Sequence, residues 1–161
     1  YNVPSRTGVD MPLSVYEALS QHPRINGVKE ASGNIAKVAR TIHFLADDFY
    51  VWSGNDDQNV PVLSLGGQGV ISVLSNLCPR QTVRMVNACF AGQYDTAGKL
   101  QAAMMPLIDA LFSEINPIPV KEALSLLGLE VGPLRLPLCA MEEENRKYLQ
   151  QTLTQNRDLL F

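Results

Sequence analysis

The sequence predicts an α/β fold assembled from consecutive strand and helix units, and three observations carry that expectation. Short apolar runs alternate with stretches whose apolar residues recur at helical spacing. Pro and Gly punctuate the chain where one kind of element should give way to the next. The expected strand ends fall at Tyr1, Lys29, Ser53 and Val73, a quasi-repeat of the kind found in parallel sheets and barrels.

Residues 1–4 read as the end of a strand, followed by a loop through Gly8 and a helix over 12–21. Leu13, Tyr16, Ala18 and Leu19 form the apolar stripe of that helix, Pro12 suits its first turn and Pro23 ends it. A second strand is expected over 25–29, after which Ala31-Ser32-Gly33-Asn34 turns into a helix over 35–45 with the stripe Ile35, Val38, Ala39, Ile42 and Leu45. The third strand, 50–53, ends at Gly54-Asn55-Asp56-Asp57, where an aspartate is expected to cap a helix over 59–65. The fourth strand is 69–73, and Pro79 opens a helix to 91. Beyond Gly92 the strands stop, and helices are expected over 94–112 with a bend at Pro106, 120–127 and 141–160. Glu142-Glu143-Glu144 fall in the first turn of the last one, where acidic side chains favour the helix dipole. The chain thus divides into a strand-and-helix portion, 1–92, and a helical portion, 93–161. Four such units are half of an eight-fold barrel, whose usual size is about 250 residues. With 161 residues, two readings stay open: a half barrel that needs another half, or a small open α/β sheet.

Thirteen Lys plus Arg against sixteen Asp plus Glu give a net charge of −3, which leaves no basic field for a phosphate backbone. Nucleic acid is not expected as a partner. With 46% hydrophobic and 18% charged residues the composition is that of a folded, soluble protein. No apolar run approaches the roughly 18 to 20 residues that span a bilayer, and no charged leader precedes an apolar segment. The chain begins with Tyr1 instead of Met, so an upstream portion is expected. Cys78, Cys89 and Cys139 lack Cys-x-x-Cys spacing and are expected as buried free thiols in a reducing cytoplasm. His22 and His43 stand outside any metal-binding pattern. Gly66-Gly67-Gln68-Gly69 precedes a strand and lacks a following Gly-Lys-Ser/Thr, so it reads as a tight turn and not a phosphate cradle. Asn55-Asp56-Asp57 supplies oxygens from a single short loop, too few to hold a divalent cation.

In strand-and-helix architectures ligands bind at the C-terminal ends of the strands, because the loops there vary without touching the packed core. Those ends carry Tyr1, Arg6, Lys29, the segment 53–57, Ile71 and Ser72. Lys29 closes an otherwise apolar strand. An amine withdrawn from water loses charge and gains nucleophilicity, as condensation with a carbonyl requires. The plainer alternative is that Lys29 reaches solvent or pairs with Glu30. The Tyr1 phenol can pass a proton, or the ring can simply be core. The planar Arg6 fork suits a carboxylate, or it can be solvated.

Four segments in order carry a resemblance across essentially the whole chain: Tyr1-Asn2-Val3-Pro4-Ser5-Arg6-Thr7-Gly8, Gly27-Val28-Lys29-Glu30-Ala31-Ser32-Gly33, Gly66-Gly67-Gln68-Gly69-Val70-Ile71-Ser72-Val73 and Asn116-Pro117-Ile118-Pro119-Val120-Lys121. They resemble the dihydrodipicolinate synthase family, also called 4-hydroxy-tetrahydrodipicolinate synthases. The resemblance implies the C-terminal half of a (β/α)8 TIM barrel with a C-terminal helical extension. It implies a lyase of the class I aldolase type, in which pyruvate forms a Schiff base with a lysine and condenses with aspartate 4-semialdehyde in lysine and diaminopimelate biosynthesis. By matching position, Lys29 would form the Schiff base and Tyr1 would donate and accept protons. Arg6 would hold the carboxylate of the semialdehyde, while Ile71 and Gly54 would line the pyruvate pocket. The resemblance further implies no metal or organic cofactor, a cytoplasmic enzyme and a homotetramer built from two tight dimers. The family's Thr-Thr-Gly segment, its second relay tyrosine and most of its lysine-feedback contact have no counterpart in this chain, so the segment alone is expected to be inactive. Two alternatives stand beside this: a lyase for N-acetylneuraminate or another sugar acid, against which Arg6 and the Asn116 segment argue, and a non-catalytic fragment.

Overall fold

The β-branched residues Val28, Val51 and Val70 sit in three short parallel strands, β1 (Gly27–Glu30), β2 (Tyr50–Ser53) and β3 (Gly69–Val70), hydrogen-bonded in that order. This computed structural model describes residues 1–44 and 49–161. Lys29 stands beside Trp52, which in turn stands beside Gly69. Successive side chains point to opposite faces, and the burial alternates accordingly: Val28, Glu30, Val51 and Ser53 are buried, while Gly27, Lys29, Tyr50 and Trp52 are more open. On the open face the Tyr50 and Trp52 rings lie 6.0 Å apart, centroid to centroid.

Helices supply the apolar cover for the buried face. They are α2 (Leu13–Ser20), α3 (Ile35–Phe44) and α4 (Asn59–Ser64); the one-turn α1 (Pro4–Thr7) that precedes them buries no residue. Tyr16 of α2, Val38 of α3 and Val62 of α4 form one core with Val28, Phe49 and Val51. Met11, Leu13, Ile25, Ile35 and Ile42 pack against it. These match the expected stripe of α3 and half of that of α2: Leu13 and Tyr16 face the core, but Ala18 and Leu19, near the C-terminal end of α2, are exposed; Leu45 lies outside the described residues.

Several boundaries differ from expectation, each for a physical reason. The first expected strand is a single parallel bridge, Asn2 to Glu30, because Pro4 opens the one-turn α1 where a loop was expected. The fourth is two residues long with one further bond, Ile71 N–H to Ser53 O at 2.8 Å. Its neighbour β2 stops at Ser53, so beyond Ile71 there is no strand to pair with, and the chain enters a 3-10 turn, Leu74–Asn76. Asp56 and Asp57 lie in another 3-10 turn, Asp56–Gln58, and neither that turn nor α4 carries a side-chain cap. Asp56 instead accepts a 3.3 Å hydrogen bond from the Asn59 amide.

The rest of the chain is helical: α5 (Pro79–Phe90), α6 (Tyr94–Leu111), α7 (Ile118–Leu126), α8 (Glu143–Gln155) and a terminal 3-10 turn, Arg157–Leu159. Pro106 lies inside α6, where its ring removes one backbone donor. Two units form: Tyr1–Ser72 with Met85–Gly98, and Val73–Arg84 with Lys99–Phe161. In the second, α7 packs on α8, and an Arg146 to Glu122 hydrogen bond of 2.7 Å joins them. Glu114 accepts from the Glu142 N–H and the Asn145 amide, both at 2.9 Å, and so satisfies the start of α8 from a distant part of the chain. Leu149 is fully buried there. Replacing Leu149 with Ala should cost about 2–5 kcal/mol of stability. Denaturant unfolding reads this directly, and a midpoint unchanged from wild type would contradict the packing described.

Candidate active site

Tyr1 and Lys29 meet because the bridge at Asn2 fixes their register. The Asn2 N–H donates to Lys29 O and the Ala31 N–H donates to Asn2 O, both at 2.9 Å. The residues just before the bridge then share the open face. Lys29 Nζ lies 4.2 Å from the centroid of the Tyr1 ring, a cation–π contact worth about 0.5–1 kcal/mol where the ring faces solvent. Tyr1 is 57% exposed, so the reading of it as a core residue is set aside. The Lys29 stem is half-buried.

Gly54 closes the other side of the lysine. Its N–H donates to Glu30 O at 2.8 Å. A methyl placed on Gly54 would stand 2.7 Å from the Ala31 methyl, 3.0 Å from Glu30 O and 3.1 Å from Lys29 Cε, so only a glycine lets the turn pass this close. The bond from Ile71 N–H to Ser53 O sets the Ile71 backbone beside the residue preceding Gly54. Lys29 therefore has the Tyr1 ring and the Gly54 turn close by, with Ile71 at the next strand end. Arg6 is exposed on α1; its backbone N–H donates to Val3 O at 2.9 Å, and its side chain forms no hydrogen bond or ion pair among the described residues.

Glu30 does not pair with Lys29. It points to the opposite, buried face, where it accepts from Tyr16 Oη at 2.7 Å, the Ser32 N–H at 2.7 Å and Asn2 Nδ2 at 3.0 and 3.2 Å. Asn2 Nδ2 also donates to Asp10 at 2.8 Å, and Asn2 Oδ1 accepts from the Met11 N–H at 3.2 Å. Lys37, buried on α3, completes the cluster by an ion pair with Asp10, a bond to Met11 O and a position 5.2 Å over the Tyr16 ring. Burial, followed by the Glu30 hydrogen bond, raises the Tyr16 phenol above its ordinary value, so it remains a donor. Sequence reasoning placed Tyr16 in an apolar stripe and missed the cluster. The available signal was Glu30 itself, an acid two positions after Val28 on the face that must be buried.

The profile of the dihydrodipicolinate synthetase family matches residues 1–156. The chain belongs to this family. A 4-hydroxy-tetrahydrodipicolinate synthase of Methanosarcina barkeri is 53% identical over 154 residues, which is 95% of this chain and 53% of the relative. The chloride-inhibited dihydrodipicolinate synthase of Acinetobacter baumannii, solved with pyruvate, superposes with a TM-score of 0.93 at 35% identity, covering 98% of this chain and 54% of that one. A monomeric dihydrodipicolinate synthase variant superposes with a TM-score of 0.91 at 40% identity, covering 99% and 54%. The chain thus spans about half the length of the dihydrodipicolinate synthases it matches.

The remaining candidates are placed as follows. In the expected turn Gly67 approaches its neighbour closely, with its N–H on Val62 O at 3.0 Å and room for no methyl, which would stand 2.8 Å from that valine. Cys78 and Cys89 are buried free thiols, and burial pushes Cys78 up to about 11. Cys139 is exposed, contrary to expectation, because it lies in the stretch between α7 and α8 that forms no helix or strand. Among the described residues no three His, Cys, Asp or Glu side chains gather as a metal site, and no helix is long and apolar enough to cross a membrane. A cavity of about 690 Å³ in the second unit, beside Lys121, Glu122 and Pro133, includes none of the candidate residues.

Two outcomes follow from this geometry. Gly54→Ala should lower stability by about 1–3 kcal/mol, since the clash is with backbone and a short side chain that cannot swing away; an unchanged unfolding midpoint would contradict it. The Lys37 hydrogen bond first, then that of Asn2, holds the Asp10 carboxyl below its ordinary value of 3.8. Its stabilisation is therefore complete above that value and lost as pH falls through the lower, folded one. Tm measured from pH 5 to about 2 should fall less steeply for Asp10→Asn than for wild type, and parallel curves would refute the linkage.

Proposed function

We propose that this chain supplies the C-terminal half of a (β/α)8 barrel, residues 1–92, with a helical extension, residues 93–161, in a 4-hydroxy-tetrahydrodipicolinate synthase. The observation that carries the reading is the Lys29 amine held at a strand end against Tyr1, in a chain of the dihydrodipicolinate synthetase family. The open face adds support: Tyr1, Tyr50 and Ile71 are 57%, 37% and 46% exposed, a set of large side chains that a second half would cover.

In this mechanism the Lys29 amine attacks the keto carbon of pyruvate and water leaves, giving an imine. Loss of a methyl proton yields the enamine, whose carbon bonds to the aldehyde carbon of aspartate 4-semialdehyde. The aldehyde oxygen takes up a proton through Tyr1, and the amine of the bound product then displaces Lys29 as the ring closes. Gly54 and the Ile71 backbone flank the keto acid, and Arg6 binds the semialdehyde carboxylate as a planar fork. The lysine itself anchors the electron sink, so no metal or organic cofactor takes part. The assembled enzyme is a cytoplasmic homotetramer, a pair of dimers, in lysine and diaminopimelate biosynthesis. The 161 residues alone are inactive, because the relay's second tyrosine belongs to the other half.

The test uses the longest natural polypeptide carrying this segment, whose intact mass should lie near twice 17.7 kDa. Incubation with pyruvate and borohydride should leave a stable label on Lys29 by peptide mass spectrometry; a folded sample with unmodified Lys29 would overturn the aldolase reading. Arg6→Ala should reduce use of the semialdehyde by about tenfold or more while the pyruvate adduct still forms. Equal loss of both would remove Arg6 from its role.

A further inference from the structure

The bridge that joins residues 1–2 to β1 sorts four side chains into two pairs: Tyr1 with Lys29 on the open face, Asn2 with Glu30 on the buried one. We propose that Asn2 and Glu30 are positioning residues that lock the Tyr1 ring over the Lys29 amine, a role that rests on the pyruvate chemistry proposed above.

Within residues 1–161 two hydrogen bonds join Asn2 to β1, and toward the C-terminus the pairing stops because α1 begins at Pro4. Within residues 1–161 the Tyr1 ring is largely exposed, so burial in this portion does not anchor it. The Asn2 side chain, by contrast, is 1% exposed and every polar contact it makes is satisfied: its amide donates to Glu30 and Asp10, and its oxygen accepts from Met11 N–H. Glu30 is 3% exposed and takes its hydrogen bonds from Asn2, Tyr16 and Ser32 N–H, all neutral donors. A buried carboxylate held in this way tolerates little displacement, since any slip leaves a donor or a charge without its partner. A slip of one residue at the bridge would also exchange the faces of its first strand, carrying Tyr1 toward the core and Asn2 away from Glu30, while β2 keeps Lys29 and Glu30 where they are.

The choice of an acid at position 30 needs explanation. Val28 fills the preceding position on the same face by ordinary packing, and an apolar residue at 30 would avoid the cost of a buried charge. What an apolar residue could not do is grip Asn2 and the Ser32 N–H at once. Those two contacts fix the backbone on both sides of the lysine: Asn2 through its bond to Lys29 O, and Ser32 through the turn whose Ala31 methyl meets Gly54. The buried pair thereby sets the distance between two groups that it never touches.

The experiment is done in the longest natural polypeptide carrying the segment. Asn2→Ala should lower kcat by about tenfold while the pyruvate KM changes by less than about threefold, and a crystal structure of the variant should place the Tyr1 ring beyond about 6 Å from Lys29 Nζ. Val38→Ala, a core deletion on α3 chosen to match the loss of Tm, should keep kcat within about twofold of wild type. Glu30→Gln, which keeps an acceptor for Ser32 N–H, should retain more activity than Glu30→Ala. If Asn2→Ala does not fold, Asn2→Ser, which is too short to span the pair, should give the same pattern. An unchanged kcat in folded Asn2→Ala or Asn2→Ser overturns the inference, as does an equal kcat loss in Val38→Ala. If the wild-type polypeptide forms no pyruvate adduct, the aldolase reading fails by itself. The distance between ring and amine then decides whether the pair acts as a lock, and an unmoved Tyr1 ring rejects it.

Discussion

A single parallel bridge, Asn2 to Glu30, connects the start of the chain to β1, and most of what the first unit can do depends on the register it imposes. Neighbouring residues on an extended chain point to opposite faces, so the bridge sets Tyr1 beside Lys29 and Asn2 beside Glu30, whose own faces the β1–β2 pairing fixes. Lys29 and Tyr1 go to the open side, where a ligand could reach them. Glu30 and Asn2 go to the helix side, where water is excluded and every polar atom must find a partner inside the protein.

That buried side is an unusual core for so small a sheet. Val28, Val38, Val51 and Val62 supply ordinary apolar packing, yet Asp10, Glu30 and Lys37 bring charges to its edge. The charges are compatible with burial because each is answered locally: Lys37 by Asp10 and Met11 O, and Glu30 by three neutral donors. Such a cluster contributes specificity of arrangement more than stability, since its members are content in only one geometry. The strands are four, four and two residues long, so a device that enforces register has more to do here than in a wide sheet.

The helices α2, α3 and α4 were legible because amphipathic spacing is a local property, and Leu13, Ile35, Val38 and Ile42 pack where that spacing places them. The strand over 69–73 was overestimated because the apolar run says nothing about where its partner ends; β2 stops at Ser53 and pairing stops with it. Cys139 was misjudged by treating cysteine as a core residue, while its surroundings form neither helix nor strand. At the candidate site the sequence points to Lys29, Tyr1 and Gly54, and the structure sets Tyr1 and Gly54 close to Lys29, whereas the Arg6 side chain stands exposed with no partner among the described residues. The Asn2 and Glu30 pair went unnoticed because its members are 28 residues apart and, although each lies in a motif, nothing along the chain says that the two motifs touch there.

The order of elements, the apolar faces of the helices and the family were all present in the sequence, because periodicity and motif order are read along the chain without knowing how it folds. That Tyr1 lies over Lys29, that Glu30 leaves Lys29 for Tyr16 and Asn2, and that Gly54 must be glycine were decided by the tertiary structure alone. Those facts depend on strand register and on distances of a few ångströms between remote segments. The local sequence specifies neither until the chain has closed on itself.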